Sequence, residues 1–313
     1  MPAVGLGTWQ SKPNEVRTAV KAALRAGYRH IDTALAYGNE HEVGQGIKDS
    51  GVPREEIWIT TKLDNPWHKR VEEGINSSLK SLDVDYVDLY LMVRSNWTTS
   101  GLFVTNTSQH WPSSTDPDDL KKHYPDWNFV DTWRELQKLP ASGRVKNIGV
   151  SNFAIKNLEK LLGDESCKTV PAVNQVELHP NNPSPKLIDY CKSKDIHCTA
   201  YSCLGSTNSP LASDKTLAKI AEKYGKTTAQ VLYVSAFLMT RLSANNFRSL
   251  VWGLQRGTSV IPKSVTESRI QKNFELDFEL SDEDMKALSS LPDRFKVCGD
   301  GWLPVKVFFG DDE

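Results

Sequence analysis

With 313 residues, 39% of them hydrophobic and 25% charged, the chain can bury a sizeable core and has the composition of a globular protein. A formal net charge of -1 offers no basic excess to release counterions from nucleic acid, and no stretch approaches the length needed to span a bilayer, so neither partner is expected. The five cysteines, Cys167, Cys191, Cys198, Cys203 and Cys298, form no CxxC pair, and Met1 to Gln10 lack a basic stretch leading into an apolar one; the expectation is a cytoplasmic setting without a disulfide framework or a metal site.

In chain order, a helix-period segment from about Glu15 to Ala26 precedes a strand ending Tyr28-Arg29-His30-Ile31-Asp32. A helix at Glu42 to Ser50, the strand Ile57 to Thr61, a helix near Val71 to Leu82 and the strand Val87 to Met92 follow. The alternation resumes with a helix around Trp133 to Leu139, strand Asn147 to Val150, helix Ile155 to Leu162, strand Val173 to Val176 and helix Pro185 to Lys194. Strand Ile196 to Tyr201, helix Ser213 to Tyr224, a helix from Thr227, the strand Ser259-Val260-Ile261 and a helix entered at Thr266 complete it. About eight βα units without a Gly/Ser-rich linker predict an α/β fold closed as a (β/α)8 TIM barrel, a single domain over 1–313. No GxGxxG follows the first strand, so a Rossmann domain has no anchor.

Reactive groups of a parallel barrel project from the C-terminal strand ends, where Asp32 and Lys62 fall, with Tyr37 in the turn beside Gly38. A tyrosine is a poor acid, with a pKa of about 10, but a close lysine cation favours the phenolate and is expected to lower it. Singly, these residues are an ordinary rim salt bridge and a turn residue. Together, on successive strand ends, they read as a proton-donor site.

The segment Gly27-Tyr28-Arg29-His30-Ile31-Asp32-Thr33-Ala34 with Tyr37, Gly38 and Asn39 resembles the first signature of the aldo-keto reductases, and the likeness runs from Gly5-Leu6-Gly7-Thr8-Trp9 to Trp302-Leu303-Pro304. The resemblance implies an NADPH-dependent reductase of aldehydes or ketones in which Tyr37, Asp32, Lys62 and His110 are catalytic. It places Gly7, Thr8, Trp9, Ser151, Asn152, Gln175, Tyr201, Ser202, Leu204, Ser206, Lys263, Ser264, Arg269 and Asn273 at the cofactor, and Trp9, His110, Trp111 and Trp302 at the substrate. Ser151, Asn152 and Gln175 can hydrogen-bond a carboxamide, and Tyr201 can stack on a nicotinamide ring. Lys263 and Arg269 offer cations to a 2′-phosphate at a helix start, favouring NADP over NAD. Cys203 stands where the family commonly has proline, and Lys272 where it is frequently acidic.

Two segments depart from the family. Deleting Val93 to Gln109 restores Leu-Tyr-Leu-Met-His-Trp-Pro, and a second surplus, about Val234 to Leu250, separates Thr227 to Leu232 from Trp252 to Gly257. Both read as insertions resembling translated introns; Val93 has codons beginning GT and Gln109 can be encoded by CAG. If expressed, the first must loop out for His110 to return to its strand end; otherwise Val93 takes that register. The leading expectation is a monomeric reductase of glyceraldehyde, glycerol or other polyol-type substrates. Its rival is an NADPH-binding protein whose turnover is impaired by the displaced histidine. A lyase or aldolase on the same barrel would need a Schiff-base lysine or a metal instead.

Overall fold

The computed structural model describes residues 1–93, 127–205, 210–233 and 252–298. Strands β1 (Leu6–Gly7), β2 (His30–Asp32), β3 (Trp58–Leu63), β4 (Val87–Val93), β5 (Val145–Ser151), β6 (Val173–Glu177), β7 (His197–Tyr201) and β8 (Ser259–Val260) form one parallel sheet in sequence order. The sheet closes on itself. Val4 and Gly7 bridge Val260 and Lys263 in parallel, and the Gly5 and Gly7 amides donate to the carbonyls of Val260 and Pro262 at 2.9 Å. A Cβ on Gly7 would lie 2.7 Å from the Ile261 carbonyl oxygen, so glycine is what lets the strands meet at this seam.

Around the barrel, among the described residues, lie α1 (Glu15–Arg25), α2 (Glu40–Ser50), α3 (Val71–Leu82), α4 (Phe129–Leu136), α5 (Ile155–Leu162), α6 (Pro185–Ser193), α7 (Lys215–Tyr224), α8 (Thr228–Tyr233), α9 (Trp252–Gln255), α10 (Glu267–Lys272) and α11 (Asp282–Ser289). Each long helix turns an apolar stripe inward. In α3 the buried residues Val71, Ile75, Ser78, Leu79 and Leu82 recur at helical spacing, which is why the sequence places this helix without error. Gly44 of α2 lies against the end of α3, where any side chain would collide with the Leu82 carbonyl. No described helix is long and apolar enough to cross a membrane.

Local chemistry accounts for the differences from the sequence reading. The helix expected at Trp133 begins earlier, at Phe129, because Asn128 and Asp131 form a reciprocal capping box: Asn128 Oδ1 accepts from the Val130 amide at 2.8 Å and Asp131 from the Asn128 amide at 2.9 Å. The unanticipated α11 starts where Ser281 Oγ accepts from the Asp284 amide. The two insertions, apart from Val93, lie outside the described residues.

Three ring nitrogens carry a pH dependence. Burial lowers the pKa of His68 to about 3 and those of His30 and His197 to about 4. His68 shares a 3.2 Å hydrogen bond with Thr132 Oγ1, tying the loop after β3 to α4. On unfolding, each regains an ordinary imidazole pKa of about 6.5, so below that pH the unfolded chain binds more protons. The stabilisation from neutral burial is therefore complete above about pH 6.5 and is lost progressively as the pH falls toward 4. Urea unfolding at pH 7, 6 and 5 is expected to show a decline on the order of 1 kcal/mol per histidine per pH unit. A free energy of unfolding flat across that range would contradict it.

Candidate active site

A cavity of about 490 Å³ opens at the C-terminal strand ends, and Asp32, Lys62, Val93, Ser151, Gln175 and Tyr201 reach its wall from β2 to β7. Its floor carries a buried ion pair. Lys62 Nζ donates to Asp32 Oδ1 at 2.5 Å and to the Thr33 carbonyl at 2.7 Å, while Gln175 Nε2 donates to Asp32 Oδ2 at 2.7 Å. Parallel registry makes this possible: Asp32 pairs with Thr60, and Lys62, two residues further along β3, reaches back over it. Burial by itself lowers the Lys62 pKa, but the Asp32 carboxylate beside it outweighs burial and holds the ammonium above its ordinary value.

Tyr37 follows in the single 3-10 turn Leu35–Tyr37, ended by Gly38 at φ 68°, a left-handed conformation suited to glycine. Lys62 Nζ lies 5.0 Å from its ring centre. The expected lowering of the Tyr37 pKa is not the net outcome. Burial raises it, the Lys62 cation lowers it, and burial prevails, leaving the phenol above its usual value. Tyr37 is thereby kept protonated, which a proton donor requires.

On the opposite wall, Asn152 adopts φ 63° and Ser202 φ 47°, turning the ends of β5 and β7 over the cavity. Tyr201 donates its hydroxyl proton to Asn152 Oδ1 at 2.8 Å, and Ser151 Oγ donates to the Gln175 carbonyl at 2.9 Å. Gln175 Nε2 and Asn152 Oδ1 are thus engaged, which leaves Gln175 Oε1 to accept and Asn152 Nδ2 to donate. That pair complements the one amino group and one carbonyl of a carboxamide, and the fixed Tyr201 ring supplies a flat apolar face. These residues fit a nicotinamide.

Gly7, Thr8, Trp9, Ser202, Leu204, Lys263 and Arg269 also line the cavity. Lys263 is exposed and donates to the Gln10 carbonyl at 3.3 Å; burial of its stem and the nearby Lys12 lower its pKa. Ser264 and Asn273 stand off the wall: Ser264 Oγ accepts from the Thr266 amide at 3.3 Å, and Asn273 caps α10. Because α10 spans only six residues and opens on Glu267, an anion here depends on the two cations rather than on a helix terminus. Ser206, His110, Trp111 and Trp302 lie outside the described residues.

Several participants escaped the sequence reading. The Thr33 carbonyl helps hold Lys62, and buried Asn39 donates to the Thr8 carbonyl at 3.0 Å, fastening the turn after Tyr37 to the cavity rim. Val93 closes β4 on the cavity wall in register with Ser151.

Residues 3–293 match the profile of the Aldo/keto reductase family. The chain is 42% identical to glycerol 2-dehydrogenase (NADP(+)) of Saccharomyces cerevisiae, with 98% of this chain and 94% of that protein covered. It is 44% identical to a D-galacturonate reductase of Hypocrea jecorina, covering 100% and 94%. Among solved structures, an aldo-keto reductase from a deep-sea metagenome library superposes with a TM-score of 0.77 at 40% identity, covering 98% and 95% of the two chains. The aldose reductase of Schistosoma japonicum gives 0.75 at 35% identity, covering 95% and 91%.

Proposed function

Because the chain belongs to the aldo/keto reductase family, we propose that it is an NADPH-dependent oxidoreductase that reduces small aldehydes or ketones of the glyceraldehyde and polyol type. The observation that carries this reading is the buried Asp32–Lys62 pair beside Tyr37, facing the Asn152 and Gln175 amides across one cavity. A nicotinamide held by Asn152, Gln175 and Tyr201 would supply the hydride for the carbonyl carbon. Tyr37 gives its hydroxyl proton to the carbonyl oxygen, and Lys62 stabilises the phenolate left behind. Asp32, gripped by Gln175, keeps the ammonium in place. Tyr201 and the two amides would hold the nicotinamide ring, and Lys263 and Arg269 would hold the 2′-phosphate.

The test uses the chain as written and a form lacking Val93 to Gln109 and Val234 to Leu250, each assayed for NADPH oxidation with DL-glyceraldehyde and for cofactor binding. Turnover by both supports the proposal and means that the wall ending in Val93 does not prevent carbonyl orientation. Turnover by the shortened form alone makes the written chain the impaired, cofactor-binding protein. Inactivity of both, with NADPH bound, rules out this substrate class.

A second measurement addresses cofactor choice. Arg269→Ala is expected to weaken NADPH binding about tenfold and NADH binding less than twofold, since a charge-assisted contact contributes about 1.5–3 kcal/mol and only NADPH carries the 2′-phosphate. Fluorescence titration with both cofactors reads the difference. Equal weakening would place Arg269 elsewhere on the cofactor.

A further inference from the structure

Glu177 closes β6 two residues beyond Gln175, and its side chain is 1% exposed. Its carboxylate accepts from His179 Nε2 at 2.9 Å and from two backbone amides, Val297 to Oε1 at 2.6 Å and Cys298 to Oε2 at 2.8 Å. Burial alone would raise its pKa, but these three bonds outweigh it and hold the group below the ordinary carboxylate value. It is charged at neutral pH. A second clamp lies beside it, where Asn181 Nδ2 donates to the Asp293 carbonyl at 2.9 Å and the Phe295 amide donates to the Asn181 carbonyl at 3.2 Å.

These contacts fasten one strand end to a backbone segment more than a hundred residues later. Glu177 pairs in register with Tyr201, and Cys298, held by Glu177, has its thiol beside the Tyr201 hydroxyl. The clamped backbone is thereby tied to β6 and β7, the two strands whose Gln175 and Tyr201 line the cavity. On the function proposed above, that cavity is where the carbonyl would sit, and Lys263 and Arg269 on its wall would hold the cofactor's phosphate.

We infer that Glu177 is a positioning residue for the carbonyl substrate, acting through the backbone of Val297 and Cys298, with Asn181 as its outer support. It touches neither substrate nor cofactor. Its effect is on how tightly, and with which length of aldehyde, the site closes around the carbonyl.

The experiment compares Glu177→Gln and Asn181→Ala in the full chain with wild type. It measures NADPH affinity, kcat and KM for a short and a long aldehyde, and hydrogen exchange at the Val297 and Cys298 amides. Gln keeps the shape of Glu177 but halves its acceptors and removes its charge. The expected result is a tenfold or larger rise in carbonyl KM for Glu177→Gln, a smaller rise for Asn181→Ala, a changed preference between the aldehydes, and NADPH affinity within about twofold, roughly 0.4 kcal/mol. Exchange at the two amides accelerates in parallel. Unchanged KM and preference, or parallel losses in cofactor and carbonyl binding, would overturn the assignment. Should Glu177→Gln not fold, the Asn181→Ala split decides on the same criteria. If the wild type reduces neither aldehyde, the functional proposal fails by itself; the clamp is then judged by amide exchange, and unaccelerated exchange in Glu177→Gln refutes it.

Discussion

Tyr37→Phe is expected to lower kcat for carbonyl reduction by about a thousandfold while NADPH affinity stays within a factor of two. General acid catalysis by a positioned side chain contributes about 10²–10⁴ in rate, and removal of one hydroxyl leaves the ring and its contact with Lys62 in place. Without the Tyr37 hydroxyl, Lys62 keeps its bonds to Asp32 and the Thr33 carbonyl, so the fold is expected to survive the change. Single-turnover kinetics with bound NADPH would separate chemistry from release. A variant that turned over within tenfold of wild type would mean that some other group protonates the carbonyl.

Lys62→Met should do something different: destabilise the protein by about 3–5 kcal/mol as well as abolish turnover. Asp32 is 2% exposed, and without the ammonium its remaining side-chain donor is Gln175, leaving a carboxylate in the barrel floor without its cation. Removing one partner of a buried pair costs far more than replacing both, because an uncompensated charge remains. The double variant Asp32→Asn/Lys62→Met is therefore expected to regain most of the lost stability, with the asparagine still able to accept from Gln175, yet to remain inactive. Urea unfolding of both variants checks this. A single variant as stable as wild type, or a double variant no better than the single, would show that the pair is not isolated from water.

The residues of the ion pair and the tyrosine were legible because each occupies a strand end or a turn that local pattern alone defines. Asp32 closes the short strand Tyr28-Arg29-His30-Ile31-Asp32, and Lys62 follows Thr60-Thr61. The net acidity of Tyr37 was not legible, since it depends on how burial weighs against one cation, and burial is a property of the assembled barrel. Likewise β1 has only two residues; it exists because β2 and β8 flank it, not because Leu6-Gly7 carries a strand pattern. The pairing of Glu177 with His179 and its role were not legible either. Their link to Val297 and Cys298 spans a separation over which the sequence holds no periodic signal. The start of α4, by contrast, could have been read from Asn128 and Asp131 three positions apart.

The seam between the first and last strands has a consequence for assembly. The chain's opening residues meet Val260 to Lys263 there, and the Lys263–Gln10 contact joins residues 253 apart. Contacts of such separation carry a large loop-closure entropy and tend to make folding slow. The same two stretches, Gly7 to Gln10 and Ile261 to Lys263, lie side by side on the cavity wall. A dinucleotide that touched both would act as a rivet across the barrel's joint, and by binding the folded chain alone would favour the closed barrel.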